Sequence, residues 1–318
     1  VISITEKKKE DAYLQYLWYL LYPGKRCVGH RYDRQSKLAK GYITDEYLKP
    51  YAIFKSDMKD TYVDEMEICS EFEEGIEKQE FQVFYQPVVD ARTGKIVSAE
   101  ALVRWLHEQK GFISPGHFIP ALEKGGYISQ LDRYMIEKVT GCLNQRRTEG
   151  KRFVPVSVNL SWMDFYDENM LEWIVRGLKK NNQNEQKIRF EITETSLAAI
   201  GENHTRMLTH LKENGAEILL DDFGNGYSSF GMLQDYDFDI LKMDISFVRN
   251  IGVNKKSESI LRAIIDMAHQ LEIRLVAEGA ETEEQVAFLR RTDVIISRDI
   301  ITINRCRKQS LQLLEEGK

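Results

Sequence analysis

From Phe81 onward the chain alternates short runs of β-type residues with helical stretches. The runs are FQVFYQPVV (81–89), KIVSAEALVRW (95–105), RFVPVSVNLS (152–161), KIRFEITE (187–194), AEILLDDFG (216–224), FDILKMD (238–244) and EIRLVAEGAE (272–281). Helical segments such as QLDRYMIEKVTGCLNQRRTEG (130–150) and SILRAIIDMAHQL (259–271) lie between most of them. The later runs are continuously apolar rather than alternating, as expected of strands covered on both faces of a parallel sheet. Strand–helix alternation over this length predicts a (β/α) barrel or a doubly wound sheet. Seven strands can be counted, and an eighth has to come after residue 290.

Upstream, YVDEMEICSEFEEGIEKQEF (62–81) places Met66, Cys69, Phe72 and Ile76 at helical spacing among acidic residues. This predicts an amphipathic helix with a solvated acidic face, leading into the main domain. Residues 1–62 are rich in Lys and Tyr without a usable pattern, and the opening VISIT reads as a strand in a fragment of something longer. The stretch YLQYLWYLLY (13–22) is too short to span a bilayer and reads as a buried or amphipathic helix. The expected organisation is an N-terminal extension (1–62), a helical lead-in (63–80), a barrel (81–292) and a divergent tail (293–318).

Composition narrows the function. The 318 residues carry a net charge of -6 and a pI near 5.7, which argues against a protein that holds DNA or RNA by broad electrostatics. A small anionic ligand stays open if a metal supplies positive charge. Cys27, Cys69, Cys142 and Cys306 are far apart and form no C-x-x-C pair, so a reducing, cytoplasmic setting is expected. No signal peptide is visible.

The candidate chemistry lies at the strand ends. Asn159, Glu191, Asp221 with Asp222, Asp244 and Glu278 each fall at or near the C-terminal end of a run, and Glu100 lies within the second. In a parallel barrel those ends converge on one rim, where active sites are built. Several carboxylates so gathered repel one another unless something positive intervenes. An all-oxygen set of Asp, Glu and Asn suits Mg²⁺ or Mn²⁺. Adjacent Asp221 and Asp222 would let one carboxylate face each of two ions, and paired ions about 4 Å apart are a recurrent device for phosphodiester hydrolysis. A lone Asp after a strand is commonly the N-cap of the next helix, but the whole series outweighs that reading. Lys242, two residues before Asp244, would share its face and either polarise the nucleophile or neutralise charge.

Taken together these segments resemble the EAL domain family of cyclic di-GMP phosphodiesterases, over roughly residues 66–292. The name-giving triplet is Glu100-Ala101-Leu102, inside AEALVRW. FYQPVVD, FIPALEKGGYI, VSVNLS, FEITET, DDFGNGYSS, LKMD and AEGAET follow in order. The resemblance implies a TIM-like (β/α)8 barrel with an antiparallel first strand, and Mg²⁺- or Mn²⁺-dependent hydrolysis of cyclic di-GMP to linear pGpG in bacterial second-messenger signalling. It implies two ions held by Glu100, Asn159, Glu191, Asp221, Asp222 and Asp244. Glu278 then handles the nucleophilic water with Lys242 nearby, and Gln86, Leu102 and Arg104 contact substrate. Arg104 has the planar fork that suits phosphate. The loop DFGNGYSS is associated with the second metal and with homodimers, and Glu281 with support of that loop. Residues 1–62 stand where a GGDEF domain often precedes an EAL domain, but carry no signature loop.

After FLRRT (288–292) the resemblance stops. Relatives continue with a sequence like GCDYIQGYYYNKPMP, whereas this chain reads DVIISRDIITINRCR (293–307). A coding string for the former, with one leading base deleted, translates as DVIISRDIITINRC, so a single-base frameshift near Thr292 is inferred. The eighth strand and last helix are therefore altered, and Arg298 falls where the Q-G-Y glutamine is expected. Either DVII or IITI pairs as an eighth strand, or the tail frays and leaves the barrel incompletely closed. The competing functional readings are a degenerate EAL domain that binds cyclic di-GMP or a partner without turnover, and a fragment that does not fold stably.

Overall fold

The computed structural model describes residues 2–4, 51–53, 56–151, 154–181, 188–200, 204–224, 229–292 and 294–297. The chain divides into two units, Val1–Glu73 and Glu74–Lys318. In the first, strand β1 (Ile2–Ile4) pairs antiparallel with β2 (Tyr51–Ile53). Most of the N-terminal extension, including YLQYLWYLLY, lies outside the described residues.

Helix α1 (Ser56–Glu77) begins before the expected lead-in and runs across the division. Its buried stripe is Ile68, Phe72 and Gly75, with Cys69 and Ile76 half-buried. Met66 does not belong to that stripe and is 55% exposed. Ile68 and Phe72 are one turn apart and set the face, while Met66 is rotated about 200° from Ile68 by the 3.6-residue period.

The second unit is the barrel. Its strands are β3 (Phe81–Asp90), β4 (Ile96–His107), β6 (Val156–Asn159), β7 (Ile188–Thr193), β8 (Glu217–Phe223), β9 (Ile240–Met243), β10 (Arg274–Ala277) and β11 (Ile295–Ser297), while β5 (Gly111–Ile113) extends β4 as a hairpin. The helices are α2 (Pro115–Gly125), α3 (Ile128–Thr148), α4 (Glu168–Asn181), α5 (Glu194–Ile200), α6 (His204–Glu213), α7 (Ser229–Asp235), α8 (Ile245–Arg249), α9 (Lys255–Gln270) and α10 (Glu283–Arg290), with a 3₁₀ turn at Trp162–Tyr166.

The sheet runs β3-β11-β10-β9-β8-β7-β6-β4 and closes because β3 also pairs β4. β3 is antiparallel to both neighbours, and the other pairings around the ring are parallel. This is the TIM-like barrel with an antiparallel first strand. The divergent tail supplies the closing strand: Ile295 pairs Val276 on one side and Asp90 on the other. The IITI segment lies outside the described residues.

The continuous apolar character of the later strands has a direct cause. Phe190, Ile192, Ile218, Leu220, Leu241 and Leu275 are buried, and so are the alternate residues Leu219, Ile240 and Val276. Both faces of each strand are therefore inside. The alternate residues pack with Val88, and with the partly buried Val97 and Ile295, as one apolar cluster. Along β8 the period of two runs Glu217, Leu219, Asp221. Glu217 pairs with Arg189 Nε at 2.5 Å and Arg274 Nη2 at 3.2 Å, toward the N-terminal ends of their strands. Leu219 joins the apolar cluster, and Asp221 stands at the C-terminal end. The barrel thus places its polar excess at the C-terminal rim, above an apolar floor.

Candidate active site

Lys242 projects from β9 and is 5% exposed. Its ammonium lies 2.8 Å from Glu100 Oε2, 3.0 Å from Glu278 Oε1, 3.1 Å from Glu191 Oε2 and 3.4 Å from Asp221 Oδ2. Residues separated by up to 178 positions thus meet at one atom, because each ends or lies within a strand of the same barrel. An ammonium has three N–H donors and faces four carboxylates, so one carboxylate must share. Asn159 joins the group through Nδ2, which donates to Glu100 Oε1 at 3.2 Å. Gln86 stands opposite Glu100 in the β3–β4 register.

Asp221 and Asp222 answer differently to their adjacency. The β8–β9 register shifts between Leu220 and Phe223, so the pair sits in an irregularity of the strand. Asp222 takes φ +57, and its N–H donates to Asp221 Oδ1 at 2.8 Å. Asp221 reaches Lys242, whereas Asp222 is exposed and lies within electrostatic reach of Asp244. Asp244 also caps α8: its Oδ1 accepts from Ser246 N–H at 2.8 Å. The helix-cap reading holds for that residue, alongside its place near Asp222.

The charge balance is uneven. Burial, then the charges of Glu100 and Asp221, push the Glu191 carboxyl up to about 8 despite the opposing pull of Lys242. Burial raises Glu278, and burial with Asp221 and Asp244 raises Asp222. Burial works against the charge of Lys242, yet the surrounding carboxylates hold its ammonium well above the usual range. A like-charge pair about 4 Å apart costs on the order of 4 kcal/mol at an effective dielectric of 20. One lysine therefore leaves negative charge uncompensated. Among the described residues, no three His, Cys, Asp or Glu side chains form a ready metal-ligand set. The carboxylates converge on Lys242 instead. The donors are nevertheless all hard oxygens, and their surplus charge is what a divalent cation neutralises.

Beside this group lies a cavity of about 240 Å³ lined by Leu102, Arg104, Pro115, Asp132, Asn159 and Ser161, among others. The Arg104 guanidinium sits 5.9 Å above the Phe84 ring, donates to Val103 O at 2.8 Å, and has its pKa lowered by burial. Leu102 and Arg104 thus share a wall with Asn159. Glu281 enters through its backbone, whose N–H donates to Gln285 Oε1 at 2.8 Å. The loop it is expected to support includes residues 225–228, which lie outside the described residues, as does Arg298.

Sequence reasoning missed several contributors. Glu194 is buried and accepts from Gly224 N–H at 3.4 Å. Asp132 lines the cavity from α3. Ile245 and Phe247 of α8 pack under Gly279 and Gly224. A usable signal existed for Glu194, which directly follows a strand end, but none for the others. No helix among the described residues is long and apolar enough to cross a membrane.

The EAL domain model matches residues 70–296. An uncharacterized signaling protein of Caulobacter vibrioides is 35% identical over 243 residues, covering 76% of this chain and 30% of that protein. The cyclic di-GMP phosphodiesterase NbdA of Pseudomonas aeruginosa is 31% identical over 226 residues, covering 71% of this chain and 29% of NbdA. The chain thus spans about a third of the length of these relatives. The solved c-di-GMP complex of the PaMucR phosphodiesterase superposes with a TM-score of 0.69 at 28% identity, covering 76% of this chain and 99% of that one. With the family pattern running through most of the barrel, this chain belongs to the EAL domain family.

Proposed function

We propose that this chain hydrolyses cyclic di-GMP to linear pGpG with the help of divalent cations, Mg²⁺ or Mn²⁺, two per site. The observation that carries this reading is the meeting of Glu100, Glu191, Asp221 and Glu278 around Lys242 at the barrel rim. The name of NbdA and the ligand of the PaMucR complex support the substrate.

Glu100, Asn159, Glu191, Asp221, Asp222 and Asp244 would hold the cations. Bound there, divalent cations neutralise phosphate charge and lower the pKa of water toward neutrality. The chain's own residues do the rest. Glu278, whose carboxyl is raised by burial and lies 3.0 Å from Lys242, accepts the proton of the attacking water. Lys242 fixes Glu278 in place and stabilises the charge that develops on phosphate oxygens. Arg104 offers its planar fork to a phosphate, with Gln86 and Leu102 beside it. The cavity walled by Leu102 and Pro115 takes one guanine base, and Asp132 within it offers an acceptor to the base's N–H edge.

A second reading is binding without turnover, favoured by a closing strand drawn from the tail that departs from the family pattern after Thr292. One assay separates the two: the purified chain is mixed with cyclic di-GMP and Mn²⁺, and both binding and pGpG release are followed. Release that is abolished in Asp221→Asn supports hydrolysis. Binding without release supports the receptor, and neither, with a broad melting profile, refutes both.

A further inference from the structure

Asp132 on α3 and Asp164 in the 3₁₀ turn are two buried carboxyls outside the Lys242 group, with side chains in residues 8% and 0% exposed. Both reach for the same donor. The Ser161 N–H lies 3.1 Å from Asp132 Oδ2 and 3.0 Å from Asp164 Oδ2. The two oxygens are therefore within about 6 Å of each other, and one N–H is divided between them. Asp164 Oδ1 is buried and has no hydrogen-bond partner among the described residues. Two buried anions at this separation, with the Ser161 N–H shared between them, the Ser129 hydroxyl on Asp164 alone and one orphaned oxygen, are a costly arrangement. A proton held between them lowers the charge and supplies the missing hydrogen bond.

We propose that Asp132 and Asp164 share a single proton, and that Asp164 is a positioning residue that fixes Asp132 as an acceptor for the N–H edge of a guanine in the adjoining cavity. The second half rests on the reading of that cavity given above. Asp132 and Ser161 line the cavity, so the fork that Ser161 closes also sets where the Asp132 carboxyl points.

The surroundings favour Asp132 as the proton's holder. Burial and then Asp164 push its carboxyl well up, with Glu123 adding to the effect. Burial raises Asp164 too, but Asp132 and the Ser129 hydroxyl stabilise its anion, against Asp167. Arg104 is the cation among the residues lining the same cavity. Asp132 then donates to Asp164 and keeps a carbonyl oxygen for the ligand. Loss of the shared proton leaves two anions that push apart and open the fork.

The test uses the purified chain in EDTA, so that binding is read without turnover. Cyclic di-GMP affinity is measured calorimetrically from about pH 6 to about pH 8.5, below the ionisation of the guanine, in wild type and Asp164→Asn. Asparagine still accepts from Ser161 N–H and donates to Asp132, but brings no charge. Wild-type affinity should fall with rising pH, by up to about tenfold per unit once the shared proton leaves, and the fall should be markedly shallower in the variant, where only the titrations common to both proteins, Glu191 among them, remain. The ligand-free unfolding free energy is measured alongside. Both carboxyls have folded pKa values above their unfolded ones, so the pair's contribution to stability declines as pH rises above about 4, and this component of the slope should be markedly smaller in Asp164→Asn. Asp132→Asn, whose amide donates to Asp164 and keeps a carbonyl oxygen for the ligand, mimics the protonated pair, so it should also flatten the stability slope while holding the wild type's low-pH affinity across the range. Equal slopes in all three proteins overturn the shared proton, whichever variant folds best. A flattened stability slope with no binding by any of them keeps the shared proton and refutes the guanine site.

Discussion

Gly279 lies directly over Ile245: a β-carbon at Gly279 would stand 2.3 Å from both Ile245 Cδ1 and Cγ1. Gly279 follows Glu278, and Ile245 follows Asp244. The same short helix reaches the other rim turn, where a β-carbon at Gly224 would stand 2.3 Å from Phe247 Cε2. Both glycines have positive φ, +69 and +98. Helix α8 is thus the common floor for the turns that carry Glu278 and the Asp221–Asp222 pair.

Gly279→Ala should therefore displace Glu278. A shift on the order of 1 Å at a catalytic group can cost about 10²-fold, and the left-handed backbone adds roughly 1–2 kcal/mol of strain. Turnover of cyclic di-GMP should fall by about that factor, with a lower melting temperature. Combining it with Ile245→Ala removes the clash and should restore part of the turnover, leaving the backbone strain. A double variant no better than the single one would place the defect elsewhere.

How far the sequence revealed this arrangement depended on range. Strands β6 to β10 were legible because they are apolar on both faces, and the rim carboxylates because each stands where such a run stops. Short-range rules failed where a neighbour decided. Met66 had helical spacing but faced outward because Ile68 and Phe72 set the buried stripe. The Asp132–Asp164 pair joins positions 32 apart through the Ser161 N–H, and no local pattern announces it. The packing of Ile245 under Gly279 is set by tertiary contact alone. The helix-cap reading and the rim reading both proved true of Asp244, since the same carboxyl serves α8 and lies near Asp222.

If the rim holds cations as proposed, its uncompensated charge predicts that Mn²⁺ stabilises the fold even without substrate. Ligand at about 100 times its Kd adds roughly 2.7 kcal/mol to the unfolding free energy. Wild type should melt higher with Mn²⁺ than with EDTA, and Asp221→Asn should lose most of that gain while melting in EDTA at least as high as wild type, because one repelling charge is gone. Equal responses to Mn²⁺ in the two proteins would remove Asp221 from the cation site.

At the opposite end of the barrel, Glu217 gives an acid-limb prediction. Burial alone would raise its carboxyl, but Arg189 and Arg274 outweigh it and hold the pKa below the usual 4.5. The folded state therefore binds this proton less readily than the unfolded chain, and the stabilisation is present above about pH 4.5 and lost as pH falls through the lower folded value. Glu217→Gln should be less stable than wild type near neutrality, and the gap should narrow on acidification below about pH 4.5. Urea midpoints across that range measure it; a constant gap would mean the loss is one of packing.

Closure by the divergent tail can be tested at Ile295. It pairs on both sides, with Val276 and Asp90, and packs against the cluster of Val88, Leu219, Ile240 and Val276. Ile295→Asp would put a carboxylate against that apolar floor, at a cost of about 2 kcal/mol or more. Ile295→Val keeps the β-branched shape and should cost less than about 1.5 kcal/mol. Equilibrium unfolding separates these, and amide exchange locates the effect. If β11 closes the ring, Ile295→Asp should speed exchange along β10 and along the Val88–Asp90 end of β3, because each loses its partner there. The Phe81–Val83 end of β3, which pairs with β4 across Trp105 to Val103, should stay protected. A cost within about 0.5 kcal/mol, the range of an ordinary surface substitution, would show that the three-residue strand contributes nothing to holding the barrel shut.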